Sequence, residues 1–278
     1  MTARPRTGTP RRRRRAGTST AARVAIAVPW VAFTILIIHF GGTVFAVALM
    51  GLGVVALHEF FTLLRPVRPV TLAGFAGVAG LIAAAAYGDQ FQMVLVAVIS
   101  VLLTFLLTLP RRDRRHVTLS IAVTLLGILW IGLALAHAVL LRGLDHGDGL
   151  IVDVLIATFI GDTGAYFGGR TWGTRALAPR ISPSKTVEGL IAGMLAGTGA
   201  FVLASLYQDW LSATVALAIG AAVSAAAPLG DLFESMIKRD LGVKDTGRFF
   251  GEHGGALDRL DAAFFTVVVG YYVASALL

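Results

Sequence analysis

The sequence predicts an all-α integral membrane protein that crosses the bilayer about nine times, with its N-terminus in the cytoplasm. Three observations lead there. Of 278 residues, 56% are hydrophobic and 14% charged, against about 25% charged in an ordinary soluble domain. The apolar residues fall into runs close to the ~20 residues a helix needs to cross hydrocarbon. The basic residues sit in alternate links between those runs.

Residues 1–20 contain RPRTGTPRRRRR and no apolar pattern able to form a core, so a disordered basic cytoplasmic tail is expected. The run that follows is too long for the apolar part of a signal peptide and lacks a convincing small-residue cleavage site. An uncleaved span is therefore favoured. The arginines suit orientation and contact with anionic headgroups better than a nucleic-acid role. Residues 21–278 then read as one transmembrane domain, with spans near 22–38, 43–58, 71–87, 91–109, 117–140, 149–167, 187–206, 211–230 and 260–278. Abundant Gly and Ala within them allow close helix packing in lipid.

With the tail inside, the links 59–70, 110–116, 168–186 and 231–259 also fall inside. Of the 24 Lys and Arg residues, only Arg142 then lies outside. That asymmetry satisfies the positive-inside rule and would be scrambled by eight or ten spans. No internal repeat of the inverted-transporter kind is visible.

The chain has no cysteine, which removes thiol nucleophiles, disulfides and Cys-ligated zinc. Any metal would have to be held by carboxylates, a donor set suited to hard cations such as Mg²⁺. The densest charge lies in PLGDLFESMIKRDLGVKDTGRFFGEHGGALDRLD, between two apolar runs. Ionisable groups at the edge of hydrocarbon are costly and mark candidate sites. If the preceding helix continues past Pro228, Asp231, Ser235 and Lys238 share one face; a structural Asp–Lys pair and a functional site fit this segment equally well. Asp258 and Asp261, three apart, project from one face of the last helix's opening turn. Charge complementing the helix dipole accounts for one acid better than for two. With Asp231 nearby, the pair would make an oxygen cage for a divalent cation. Lys244, Arg248 and the His253-Gly254-Gly255 turn, whose backbone N–H groups can approach an anion, complete a site suited to a metal-bound polyphosphate.

The other long link carries GDTGAYFGGR and ISPSKTVEG. Asp162 falls in an apolar run at or near the membrane interface, and the glycines around it read first as close helix packing. Ser182, Ser184 and Thr186 are either caps or, with Lys185, a phosphate seat at a helix N-terminus. Glu188 would stabilise that first turn or orient Lys185. Glu59, Asp113, Asp145, Asp148 and Asp209 read as solvated helix-end acids, and the remaining histidines have no ligand spacing.

These residues resemble the phosphatidate cytidylyltransferases, the CDP-diacylglycerol synthases. Their signature, S-x-hydrophobic-K-R-x4-K-D-x-small-x2-hydrophobic-(P/G)-x-H-G-G-hydrophobic-x-D-R-hydrophobic-D, is met over 27 residues by Ser235, Ile237, Lys238, Arg239, Lys244, Asp245, Gly247, Phe250, Gly251, His253, Gly254, Gly255, Asp258, Arg259, Leu260 and Asp261. Ala256 stands where a larger aliphatic residue is usual, and Gly251-Glu252 where Pro-Gly is common. DTGAYFGGR and ISPSKTVEG look like the family's second segment.

The resemblance implies that CTP and phosphatidic acid give CDP-diacylglycerol and pyrophosphate, in a multi-pass catalytic domain of the inner cell membrane with its site facing the cytoplasm. It implies Asp231, Asp258 and Asp261 as ligands of Mg²⁺, with room for a second cation. Those three and Lys244 would be the catalytic residues. Ser182, Lys185, Thr186, Lys238, Arg239, His253 and Arg259 would bind substrate. Membrane lipids and a second copy of the chain are the implied partners. A transporter with acids lining a path is the competing reading, and the clustering of acids at one edge opposes it. Another lipid-phosphate transferase or kinase is the other rival; the D-G-x2-A-R-x8-G-x3-D-x3-D pattern of the CDP-alcohol phosphotransferases is absent.

Overall fold

The computed structural model describes residues 20–247 and 254–278, with side chains from residue 29 onward. The basic tail therefore lies, but for Thr20, outside the described residues. The described chain divides into two units at Leu36/Ile37. In the first, the Thr34 hydroxyl donates to the Trp30 carbonyl one turn back, at 2.8 Å.

Helices occupy all nine expected places. They are α1 (Thr20–Phe40), α2 (Gly42–Leu63), α3 (Thr71–Tyr87), α4 (Gln90–Thr108), a rod formed by α5 (Val117–Gly127) and α6 (Leu133–Gly143), α7 (Gly147–Trp172), α8 (Val187–Ser205), α9 (Ala213–Asp240) and α10 (Leu257–Leu277). Among the described residues, seven of these rods are long and apolar enough to cross a membrane; α3 and the described part of α1 are shorter. The all-α expectation needs one addition. The link after α7 folds into an antiparallel hairpin, β1 (Ala176–Ala178) against β2 (Ser182–Thr186), with Ala176 opposite Thr186 and Ala178 opposite Ser182.

Local chemistry explains where several helices begin. Asp89 caps α4 by accepting from Gln92 N, and Ser212 caps α9 by accepting from Val215 N. Thr186 caps α8 through Gly189 N at 3.1 Å, so one of the two roles read for it is realised. Between α5 and α6 the backbone widens into a π-turn over Ile128–Gly132. Such a turn re-aims the side chains that follow it. Trp130, within it, meets Phe60 of α2, Phe233 of α9 and Phe264 of α10 edge-on, with ring centroids 5.8, 4.9 and 5.9 Å away. Edge-to-face contacts of this kind add to plain burial. They hold together the three helices whose ends carry the charged cluster.

The glycines of α7 and α8 act as the packing reading expects. A Cβ on Gly193 would lie 2.8 Å from both Ala165 Cβ and Gly161 O, and one on Gly197 would lie 2.8 Å from Ala157 O. Only glycine lets these backbones approach so closely.

Candidate functional site

The end of α9, the start of α10, the hairpin before α8 and the far end of α2 meet at one end of the bundle. Lys185, at the close of β2, forms an ion pair with Asp231 of α9. Arg239 Nε donates to Ile181 O at 3.0 Å, pinning the hairpin to the last turn of α9. The base of the hairpin is held by Glu188, whose carboxylate accepts from Thr174 N, Thr174 Oγ1, Arg175 N and Arg175 Nε at 2.9–3.2 Å. Glu188 thus fixes the stem of the hairpin that carries Lys185.

Asp261 and Asp231 are electrostatic neighbours, and Asp162 of α7 interacts with both of them and with Lys185. Gly230 lies directly against the Asp261 carbonyl and Ala262 Cα, which brings α9 and α10 close together here. Glu234, one turn beyond Asp231, is fully buried and also interacts with Asp261. Its Oε2 accepts from Lys238 Nζ at 2.6 Å, and its carboxyl is also hydrogen-bonded to that of Asp261. The Lys238 ammonium reaches across to Asp258 Oδ1 at 3.0 Å. On the sequence reading's shared face of α9, Ser235 Oγ lies 3.4 Å from Asp231 Oδ1.

Asp258 differs from the expected third ligand. Its carboxylate accepts from Lys238 Nζ, from Thr246 N at 2.9 Å and from Gly255 N at 2.8 Å. It thereby pins both sides of the loop between α9 and α10. The expected cage of Asp231, Asp258 and Asp261 is not assembled. Among the described residues no three acidic or histidine side chains form a metal-holding group. Three carboxylates repel one another without a cation between them, and Asp258 finds its compensation in Lys238 and two N–H donors.

The carboxylates of Asp162, Asp231 and Asp261 are the donor type that a hard cation takes. Lys185 is paired with Asp231 and interacts with Asp162, while Glu234 is held by Lys238.

Lys244, Arg239 and Arg259 are exposed beside this cluster, and Ser182 is half-buried on β2. His253 and Arg248 lie outside the described residues. Sequence reasoning missed three members: Asp162, placed at the membrane interface without a role, Glu234 and Glu59. Glu234 carried a signal, its spacing of four from Lys238. Glu59, expected to be solvated, is 7% exposed and accepts from Leu257 N at 3.0 Å; nothing local marked it. Away from this end, Asp153 of α7 is also fully buried, bonded by Gln208 Nε2 at 2.6 Å.

Fold and site together define a multi-pass helical membrane protein with acidic and basic side chains concentrated at one end of its bundle. The chain belongs to the Cytidylyltransferase family, whose sequence model matches residues 21–277. Among curated proteins it is similar to a phosphatidate cytidylyltransferase of Mycobacterium leprae, 37% identical over 142 residues, covering 51% of this chain and 46% of that one. A phosphatidate cytidylyltransferase of Haemophilus influenzae is 41% identical over 125 residues, 42% of each chain. One from Thermotoga maritima is 39% identical over 138 residues, 46% of this chain and 50% of the relative. The chain spans about half the length of the curated relatives it matches.

Proposed function

We propose that this protein is a phosphatidate cytidylyltransferase, which joins CTP and phosphatidic acid to give CDP-diacylglycerol and pyrophosphate. The observation that carries this reading is the meeting of Asp231, Asp261 and Asp162 with Lys185 at one end of the bundle, in a chain whose relatives are phosphatidate cytidylyltransferases.

A phosphate oxygen of the lipid attacks the α-phosphorus of CTP. The new P–O bond forms as the bond to the β-phosphate oxygen breaks, and pyrophosphate leaves with that electron pair. The attacking oxygen is already ionised, so the protein need supply neither a nucleophile nor a base. What remains is positioning and charge neutralisation. Lys185 and Arg239 approach the phosphates from the hairpin side, and Lys238, Lys244 and Arg259 from the α9–α10 side. Ser182 offers a hydroxyl on the same hairpin. Lys185 exchanges Asp231 for a phosphate when substrate enters.

Asp231 and Asp261, with Asp162 beside them, would hold Mg²⁺. When bound, the ion supplies neutralisation of the polyphosphate charge. Asp258 keeps Lys238 and the loop base in place for that arrangement. Positive-inside topology supports a cytoplasmic site in the inner membrane, where CTP is available: 23 of the 24 Lys and Arg residues fall on the cytoplasmic side when the N-terminus does.

The test is turnover of labelled CTP and phosphatidic acid by the purified protein, with and without Mg²⁺. CDP-diacylglycerol and pyrophosphate in equal amounts, dependent on both substrates, are expected. Absence of nucleotide transfer in a folded, lipid-supplied preparation overturns the reading.

A further inference from the structure

The α9–α10 loop is pinched at its base from two directions. From one, Asp258 accepts from Thr246 N and Gly255 N. From the other, the carboxylate of Glu59 enters at the end of α2, nearly 200 residues away in sequence, and accepts from Leu257 N at 3.0 Å. The two glycines of the loop base make room for it. A Cβ on Gly247 would collide with Glu59 Oε1, and one on Gly255 would collide with Glu59 Oε2 and lie 2.7 Å from Thr246 Oγ1. Glu59 is 7% exposed and Thr246 4%. Glu59 Oε1 and Thr246 Oγ1 are both buried without a partner. A carboxylate held in such surroundings is costly, so a site that needs only a helix-end acid would leave it in water.

We propose that Glu59 is a positioning residue of the active site: it clamps the base of the α9–α10 loop so that Asp258, and through it Lys238, stay in register with Asp231 and Asp261. It touches no reacting atom. It acts through the backbone of Gly247, Gly255 and Leu257. This makes α2 a working part of a site otherwise built from α7, α9, α10 and the hairpin. The inference rests on the function proposed above.

Glu59→Ala, Glu59→Gln and Gly247→Ala test it in the purified full chain. Removing the clamp in Glu59→Ala lowers kcat per folded molecule about 10- to 100-fold, as small misplacements of catalytic groups do, with KM for CTP changed far less. Glu59→Gln keeps an acceptor for Leu257 N and recovers most of kcat. Gly247→Ala presses on Glu59 from the loop side and lowers kcat without removing the carboxylate, so the test stands even if Glu59→Ala folds poorly. Hydrogen exchange gives a readout independent of turnover: Leu257 N–H, Thr246 N–H and Gly255 N–H exchange faster in Glu59→Ala, while the interior of α10 does not. Wild-type kcat in Glu59→Ala, or unchanged exchange at Leu257, overturns the proposal. A wild type that turns over no CTP removes the proposed function instead, and leaves the exchange measurement to decide the clamp.

Discussion

Lys238 of α9 and Asp258 of α10 are joined by a 3.0 Å ion pair that ties the end of one helix to the beginning of the next. Lys238 also holds Glu234 at 2.6 Å. One ammonium thus serves two carboxylates, each largely out of solvent.

Because Glu234 and Asp258 are 1% and 11% exposed at their side chains, Lys238→Met leaves two buried acids without their cation. Removing one partner of a buried pair costs about 3–5 kcal/mol. The melting temperature in detergent should fall accordingly. Lys238→Met combined with Glu234→Gln should regain part of that stability, measured in the same melt, without regaining turnover.

Asp231→Asn and Asp261→Asn keep the shape of the side chains but remove the charge that would hold a divalent cation. Each is expected to reduce turnover by about 100-fold or more, in line with the loss of a group that stabilises transition-state charge. Insertion and melting behaviour should stay close to wild type. Near-normal turnover by Asp261→Asn in saturating Mg²⁺ counts against its role. Chelation of Mg²⁺ in the wild type should abolish turnover reversibly, restored on adding the ion back.

Gly230 permits the contact between α9 and α10 at the site. A methyl there meets the Asp261 carbonyl and lies 2.9 Å from Ala262 Cα. Both are backbone, so no rotamer change relieves the overlap. Gly230→Ala should destabilise by about 1–3 kcal/mol and lower kcat by separating Asp231 from Asp261. Gly199, inside α8, has nothing within 4 Å of its would-be Cβ, so Gly199→Ala serves as the control and should stabilise by up to about 1 kcal/mol.

The hairpin stem depends on Glu188 and its bonds to Thr174 and Arg175. Glu188→Ala should loosen the segment that carries Lys185 and lower kcat/KM roughly tenfold through misplaced phosphate contacts. Steady-state kinetics with varied CTP check this; unchanged kinetics would mean the stem is rigid without Glu188.

The sequence by itself determined the membrane class, the placement of nine helical rods and the family. Each of these is written in local terms: apolar run length, the distribution of Lys and Arg, and a dense 27-residue pattern. It also brought Asp231 and Asp261 into one neighbourhood, because both flank the same loop. Only the tertiary structure decided which partners the acids meet. Asp258 became the anchor of the loop base, Asp162 joined Asp231 and Asp261, and Glu59 passed from a supposed solvated helix end to a buried clamp. The physical reason is that a carboxylate's partners are set by whichever donors packing brings within about 3 Å. Those of Glu59 come from a helix at the other end of the chain, which no local pattern around His58-Glu59-Phe60 can encode.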